Sequence, residues 1–160
     1  MAHFLNPLAE RKGSEAALVD EFGETTWAEF NQRVNRLVNA LREAGLQTGE
    51  TFAVMSGNRR EFFEAMTAAA HGGWLFVPIN WHWVAEEVAY VMDNADARIL
   101  LVDTRFAQIA AEAAQRDDCP DITLGAVMGM TAGETPPDGF VDYEQVLADA
   151  SADEPENQNM

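Results

Sequence analysis

"TFAVMSGNRREFFEAMTAAAHGGWLFVPIN", residues 51–80, places a helical segment between two apolar runs. The first run predicts a short strand, and Asn58 is expected to cap the helix that follows it. Apolar residues then recur at helical spacing and are expected on the buried side of that helix: Phe62, Phe63, Met66 and Ala70. Residues 74–80 form a continuous apolar run, typical of a strand covered on both faces. The stretch therefore predicts a strand–helix–strand unit with parallel strands.

The segment before residue 51 predicts a hairpin that runs into a helix. Residues 17–20 and 24–27 are expected to form two short strands around a turn at Phe22 and Gly23. Thr26 and Glu29 have the spacing of a capping box. The helix then buries Phe30, Val34, Leu37, Val38 and Leu41, and presents Arg33, Arg36 and Arg42 on its outer face.

After residue 80, helices and strands continue to alternate. Helices are predicted in residues 84–95, 105–116 and 142–150, and strands in 98–103 and 122–129. This alternation with short turns predicts an α/β fold: a parallel, doubly wound sheet with helices on both faces and a small N-terminal hairpin. Residues 1–150 are predicted to be one domain. Residues 151–160, "SADEPENQNM", are predicted to be an acidic, flexible linker.

The charge and composition exclude several classes of protein. Ten basic and 27 acidic residues give a net charge of −17, which disfavours binding to nucleic acid and to anionic membranes. No apolar run has the length of a transmembrane segment, and the N-terminus lacks a signal-peptide pattern, so a cytoplasmic protein is predicted. The single cysteine, Cys119, lies among carboxylates that oppose thiolate formation, and a structural thiol is expected.

A search for catalytic motifs finds no complete active site. No glycine-rich phosphate loop is present, and the only lysine, Lys12, lies outside any such turn. His3, His71 and His82 are far apart and lack partners at the spacing of metal ligands, so no metal site is predicted. No serine, histidine and carboxylate set indicates nucleophilic catalysis, and no catalytic residue is assigned. "TAGETPPDG", residues 131–139, is expected to be a surface loop.

Four pieces of sequence, taken in order, resemble the N-terminal part of the adenylate-forming enzymes, especially the acyl-CoA synthetases. They are "ALVDEFGE" (17–24), "TTWAEFNQRVNRLVNALREAGLQTGE" (25–50), the stretch 51–80, and "EEVAYVMDNADARILLVD" (86–103). Their order and spacing carry the resemblance, which covers about residues 5–115 and extends more weakly to residue 160. It implies the N-terminal subdomain of that fold in truncated form.

The resemblance also implies a reaction. Enzymes of this family use ATP to activate a carboxylic acid, with a fatty acid expected here, as an acyl adenylate, and then transfer the acyl group to CoA; Mg²⁺ accompanies the ATP. The family's phosphate-binding loop would follow the linker and is absent from these 160 residues. The chain alone is therefore expected to be inactive, to bind none of these cofactors well and to self-associate. The complete enzyme is compatible with a homodimer.

One residue receives a candidate role from the resemblance. Pro78 and Asn80 match the family's strand-to-loop corner, and in some relatives a basic residue two positions after that asparagine contacts the phosphates of CoA. His82 occupies this position, where arginine is usual. The alternative is that His82 only packs between Trp81 and Trp83.

Two other functions stay open on the residues alone. The chain could be a self-standing, flavodoxin-like module that binds a small ligand at the strand ends. It could also be a subunit-interaction module that docks through an exposed sheet edge.

Overall fold

A five-stranded parallel sheet organises the computed structural model, which describes residues 5–156. The strands are β3 (Thr51–Met55), β4 (Leu75–Ile79), β5 (Ile99–Asp103), β6 (Leu124–Met128) and β7 (Phe140–Asp142), and their order in the sheet is β4-β3-β5-β6-β7. A separate antiparallel hairpin joins β1 (Ala16–Asp20) to β2 (Gly23–Thr26). The parallel sheet and the hairpin confirm the predicted α/β class.

Helices alternate with the strands along the chain. They are α1 (Leu5–Lys12), α2 (Trp27–Glu43), α3 (Arg60–Gly72), α4 (Ala85–Asn94), α5 (Ala107–Ala114) and α6 (Tyr143–Asp149), with a short 3-10 turn at Thr104–Phe106. Within residues 5–156, no helix is long and apolar enough to cross a membrane. The chain packs as two compact units. The sheet unit comprises residues 50–57 and 75–146, and the helical unit comprises the described parts of 1–49, 58–74 and 147–160.

The centre of the sheet unit is buried on both faces. Every residue of β3 and β5 is buried, and successive residues of a strand point to opposite faces. Val88, Met92 and the alanines of α5 complete the apolar core around these strands. Continuous apolar strands of this kind are typical of a parallel sheet covered on both sides, as the sequence predicts.

β4 corrects one prediction, because it is an edge strand and is not covered on both faces. It pairs only with β3 in the sheet order, and the side chain of Leu75 is 52% exposed. Pro78 is also exposed and has no N–H to donate to a further strand. The apolar run of residues 74–80 therefore contains β4, an edge strand of the sheet unit.

The helical unit confirms the predicted start of α2. The Thr26 side chain accepts a hydrogen bond from the Glu29 N–H at 3.3 Å, and the Glu29 carboxylate accepts one from the Thr26 N–H at 2.9 Å. This reciprocal pair is the predicted capping box, and its hydrogen bonds lower the pKa of Glu29. The five apolar residues predicted for the buried side of α2 are all buried.

The buried face of α3 differs from the prediction. Phe63 and Met66 are 42% and 44% exposed and the predicted Ala70 is also exposed, whereas Glu64 is fully buried. Glu64 is buried because Arg33 of α2 binds its carboxylate, with an Nε–Oε1 distance of 2.5 Å and an Nη2–Oε2 distance of 3.2 Å. A buried ion pair therefore replaces part of the expected apolar contact of α3.

The N-terminus of α3 also differs from the prediction, because Asn58 does not cap it. The helix begins at Arg60, whose N–H donates to Oδ2 of Asp20 at 2.9 Å, and Oδ1 of Asp20 accepts the N–H of Phe22. Burial by itself raises the pKa of Asp20, but the backbone donors at Arg60, Phe22 and Gly23 lower it overall. The hairpin thus supplies the acceptor that the helix terminus needs.

Polar side chains of α2 hold the segment 147–156, and we call them the helix stripe: Asn35, Arg36, Asn39 and Arg42. Arg36 donates to the carbonyl of Leu147 at 3.1 Å and to the carbonyls of Ala148 and Ala150. The other three donate to backbone carbonyls of Ser151, Ala152, Asp153 and Glu156.

The helix stripe corrects the prediction that the arginines of α2 lie on the outer face of that helix. Arg36 and Arg42 have backbone partners in the segment 147–156, and Arg33 has Glu64. Hydrogen bonds from the stripe also anchor residues 151–156, so the predicted flexibility of the linker stays a prediction for residues 157–160, which lie outside the described residues.

Candidate functional site

The carboxyl edge of the parallel sheet brings several loops together. Because all five strands are parallel, their carboxyl ends lie at one edge. The loops there begin after β3 at Ser56, after β4 at Asn80 and after β5 at Thr104. In open α/β sheets, ligands bind at this edge, beside the point where successive connections leave in opposite directions. That point lies between the neighbouring strands β3 and β5. The connection after β3 leads to β4 on one side, and the connection after β5 leads to β6 on the other side.

The loop after β4 is a tight turn organised by Asn80. Oδ1 of Asn80 accepts the N–H of His82 at 3.0 Å, and its carbonyl accepts the N–H of Trp83 at 3.1 Å. An asparagine side chain that bonds two residues ahead closes such a turn. The Glu87 carboxylate accepts the N–H of Val84 at 3.0 Å, which fixes the start of α4 although Val84 has no side-chain acceptor.

This turn presents His82 to solvent. The imidazole stacks on the indole of Trp81, with 3.5 Å between the ring centroids and 29° between the planes. Trp83 instead packs against the apolar core of the sheet unit. The structure therefore places His82 at the carboxyl edge of the sheet, exposed and supported from one side by an indole.

Arg105 is a second basic residue at this edge, and the sequence motifs do not indicate it. Its guanidinium donates to the carboxylate of Asp103 from Nε at 3.0 Å and from Nη2 at 2.8 Å. Asp103 is fully buried at the end of β5, whereas the Arg105 side chain is 54% exposed. A basic residue two positions after a buried strand, in a chain with only ten basic residues, is the signal that could have identified it.

The loop after β6 lies at the same edge and lines a cavity of about 250 Å³. Thr104, Gln108 and Met130 line it together with residues 134–137. The Glu134 carboxylate closes this loop by accepting the N–H of Thr131. The predicted surface loop 131–139 is therefore a wall of the cavity in the sheet unit.

Within residues 5–156, His71, His82 and Cys119 lie apart and are not grouped as a metal site. His71 is buried in the last turn of α3, His82 lies after β4, and His3 lies outside the described residues. Among residues 5–156, no three histidine, cysteine or carboxylate side chains are grouped so as to hold a metal ion. Burial raises the pKa of the Cys119 thiol, and the Asp118 and Asp93 carboxylates raise it further, which opposes a nucleophilic role.

Comparison with known families agrees with this architecture. The family model described as AMP-binding enzyme matches residues 6–158 of the chain. The match extends over nearly the whole sequence and confirms the resemblance found in residues 17–103. The chain belongs to the AMP-binding enzyme family.

Proteins similar to this chain include acid–CoA ligases. The chain is 29% identical to 3-oxocholest-4-en-26-oate–CoA ligase of Rhodococcus rhodochrous, a match covering 93% of this chain and 26% of that protein. It is 29% identical to long-chain-fatty-acid–CoA ligase of Thermus thermophilus, covering 81% of this chain and 23% of that protein. The chain thus spans about a quarter of the length of these relatives.

Solved structures share the fold. The anthranilate CoA ligase AuaEII, in complex with anthranoyl-AMP, matches 98% of this chain and 29% of its own, with a TM-score of 0.84 and 20% identity. The N-terminal domain of FACL13 from Mycobacterium tuberculosis matches 99% of this chain and 37% of its own, with a TM-score of 0.81 and 22% identity. The fold predicted from the sequence is therefore that of known CoA ligases.

Proposed function

We propose that the chain is the N-terminal part of a cytoplasmic, ATP-dependent acid–CoA ligase that activates a carboxylic acid of the fatty-acid class. The observation that carries the proposal is the family match over residues 6–158, together with relatives that are named as CoA ligases. The complete enzyme would release pyrophosphate only in the presence of a carboxylic acid, and measuring this dependence tests the proposal.

We assign the described residues only one role in this reaction. The carboxylate of the substrate would attack ATP, and the thiol of CoA would then displace AMP from the acyl adenylate. Mg²⁺ would accompany the ATP, but residues 5–156 offer no three-ligand group for it, so we assign no metal ligand within them. The contribution that we assign to the sheet unit is at its carboxyl edge, where His82 would donate a hydrogen bond to a phosphate of CoA.

The role of His82 can be tested through the order of the two steps. In the complete enzyme, His82→Ala should lower kcat/KM for CoA by about tenfold, because a hydrogen bond to a charged group at an exposed site contributes roughly 1.5 kcal/mol. Adenylate formation should be nearly unchanged, since it precedes the use of CoA. His82→Arg should retain or improve the use of CoA, because arginine is always charged and offers two donors.

Two measurements separate this role from simple packing. Pyrophosphate exchange reports adenylate formation, and thioester formation at varied CoA reports the second step. If His82→Ala slows both steps equally, or changes neither, His82 only stacks on Trp81 and has no role in CoA binding. Self-association of the 160-residue chain stays a prediction, which sedimentation of the pure chain would check.

A further inference from the structure

An apolar surface lies on the helical unit, where the β1–β2 hairpin meets α3. Among the described residues of this unit, the large apolar side chains that are exposed are those of Val19, Phe22, Phe63 and Met66, and we call them the hairpin patch. Val19 and Phe22 are exposed most, at 69% and 65%. Single exposed apolar residues are common on protein surfaces, whereas a cluster on one face marks an interaction site.

The hairpin patch borders a cavity of about 280 Å³. Val19 lines this cavity from the hairpin and Phe63 lines it from α3. Met66 lies three residues after Phe63 on the same helix, so it continues the same face. An apolar cavity of roughly 150 Å³ can hold a benzene ring, so this cavity has room for an aromatic side chain.

Phe22 projects beside the cavity from the turn of the hairpin, a place where glycine and polar residues are usual. Oδ1 of Asp20 accepts the N–H of Phe22 at 2.9 Å, and the Arg59 guanidinium lies 4.9 Å from the centre of the Phe22 ring. Arg59 is itself buried and donates to the Glu61 carboxylate at 2.7 and 3.1 Å. The turn therefore presents a positioned aromatic ring, which loses little conformational entropy on binding.

The charges around the hairpin patch differ in sign between its two elements. Glu21 and Glu24 of the hairpin are exposed, whereas the side chain of Arg60, at the start of α3, is 35% exposed. A two-fold axis places the same surface of two copies face to face, so the surface must be complementary to itself. The hairpin patch meets this condition, because a projecting ring lies beside a cavity and acidic residues lie beside a basic one.

We propose that the hairpin patch is a contact surface between two copies of this chain, related by a two-fold axis. Phe22 of each copy enters the cavity of the other copy, and Glu21 of each copy pairs with Arg60 of the other. The patch has fewer residues than the roughly 20 per side of a standard interface, so the dimer is weak, with a Kd in the micromolar range.

Sedimentation equilibrium of the 160-residue chain tests the role of Phe22. The net charge of −17 opposes association, so the measurement uses about 0.15 M salt, which screens repulsion beyond roughly 8 Å. We expect the wild type to dimerise and Phe22→Ser to raise the Kd by about 30-fold or more, as removal of a central aromatic anchor does. Tyr90→Ser is the matched control, because Tyr90 is a 67% exposed aromatic residue of the sheet unit. It should leave the Kd unchanged.

Reversing the charge of Glu21 tests the pairing of the hairpin with α3. Glu21→Lys places a cation opposite Arg60 of the second copy, so the Kd should rise by about fivefold or more. Glu10→Lys is the control, because Glu10 is an exposed residue of α1 outside the patch and its variant has the same net charge. It should leave the dimer unchanged or strengthen it, since it lowers the repulsion between two acidic chains.

Three results would overturn the proposal. They are a monomer at every concentration up to about 1 mM, equal Kd values for the wild type and Phe22→Ser, or equal losses in Phe22→Ser and Tyr90→Ser. Thermal unfolding of each variant shows whether it is folded, and Glu21→Lys against Glu10→Lys decides the question if Phe22→Ser is not.

The product of the coding sequence continued beyond residue 160 provides a further test of what covers the hairpin patch. It should also dimerise, and Phe22→Ser should weaken that dimer. A monomer that Phe22→Ser destabilises would show that the patch is covered by its own chain, and would overturn the proposal. None of these measurements depends on ligase activity, so the dimer and the proposed function can fail separately.

Discussion

Replacing Arg33 with methionine should lower the free energy of unfolding by about 3–5 kcal/mol. The Glu64 carboxylate is fully buried, and Arg33 is joined to it by two side-chain contacts at 2.5 and 3.2 Å. Methionine keeps most of the apolar stem of the side chain but removes these donors. The variant must then bury a carboxylate without its cationic partner or leave α3 partly unpacked from α2.

Urea unfolding of the wild type and of Arg33→Met measures this loss. Arg98→Met is the matched control, because Arg98 forms an exposed pair with Asp96 at 3.6 Å and its removal should cost about 1 kcal/mol or less. Adding Glu64→Leu to Arg33→Met should restore much of the stability, since no buried charge is then left unpaired. If Arg33→Met is as stable as the Arg98→Met control, the buried pair does not stabilise the helical unit.

Disrupting the helix stripe should release the segment 147–156. The double variant Arg36→Met, Asn39→Ala removes hydrogen bonds to five backbone carbonyls, at Leu147, Ala148, Ala150, Ser151 and Asp153. These contacts come from only two nitrogen atoms, Arg36 Nη1 and Asn39 Nδ2, so we count them as about two net hydrogen bonds of 0.5–1.5 kcal/mol each and expect hydrogen exchange of this segment to accelerate by roughly 5- to 150-fold.

Mass spectrometry of exchange in peptides from residues 147–156 checks this expectation. Gln32→Ala is the control, because Gln32 is an exposed residue of the same helix outside the stripe. Exchange should be faster in the double variant only. Equal exchange rates in the wild type and the double variant would show that the stripe does not anchor the segment.

Local signals predict the elements of this fold well. The capping box of Thr26 and Glu29 involves residues three apart, and the apolar spacing of α2 identifies its buried face without further information. The structure adds α1 and β7, which the sequence patterns do not predict. β7 has only three residues, and α1 has a single buried residue, so neither has a marked apolar pattern.

Partners that are distant in sequence explain the wrong predictions for α3. Apolar spacing selects Phe63 and Met66 as the buried face of α3, because it cannot show that Arg33, 31 residues before Glu64, allows that carboxylate to be buried. The cap of α3 is likewise supplied by Asp20, 40 residues earlier. Both errors on α3 arose where an ion pair or a hydrogen bond between separate elements replaced a local pattern, whereas the error on β4 arose from its position at the sheet edge.

The candidate site likewise combines a residue that the sequence indicates, His82, with a residue whose surroundings are distant in sequence, Arg105. His82 was a candidate because the resemblance covers its loop, and its position at the carboxyl edge follows from the parallel sheet. For Arg105 the only sequence signal is its position two residues after a buried strand, because its surroundings come from three loops. Asp103 and Phe106 are close in sequence, whereas Gly57 follows β3 and Trp81 follows β4.

The proposed ligase is tested most directly by comparing two proteins in one assay. The first is the product of the coding sequence continued beyond residue 160, and the second is the chain of residues 1–160. With ATP, Mg²⁺, CoA and fatty acids of several lengths, we predict that the longer protein releases pyrophosphate and forms the acyl-CoA thioester, and that residues 1–160 do neither. An immediate stop codon after residue 160, or carboxylate-dependent turnover by residues 1–160 alone, would contradict the proposal.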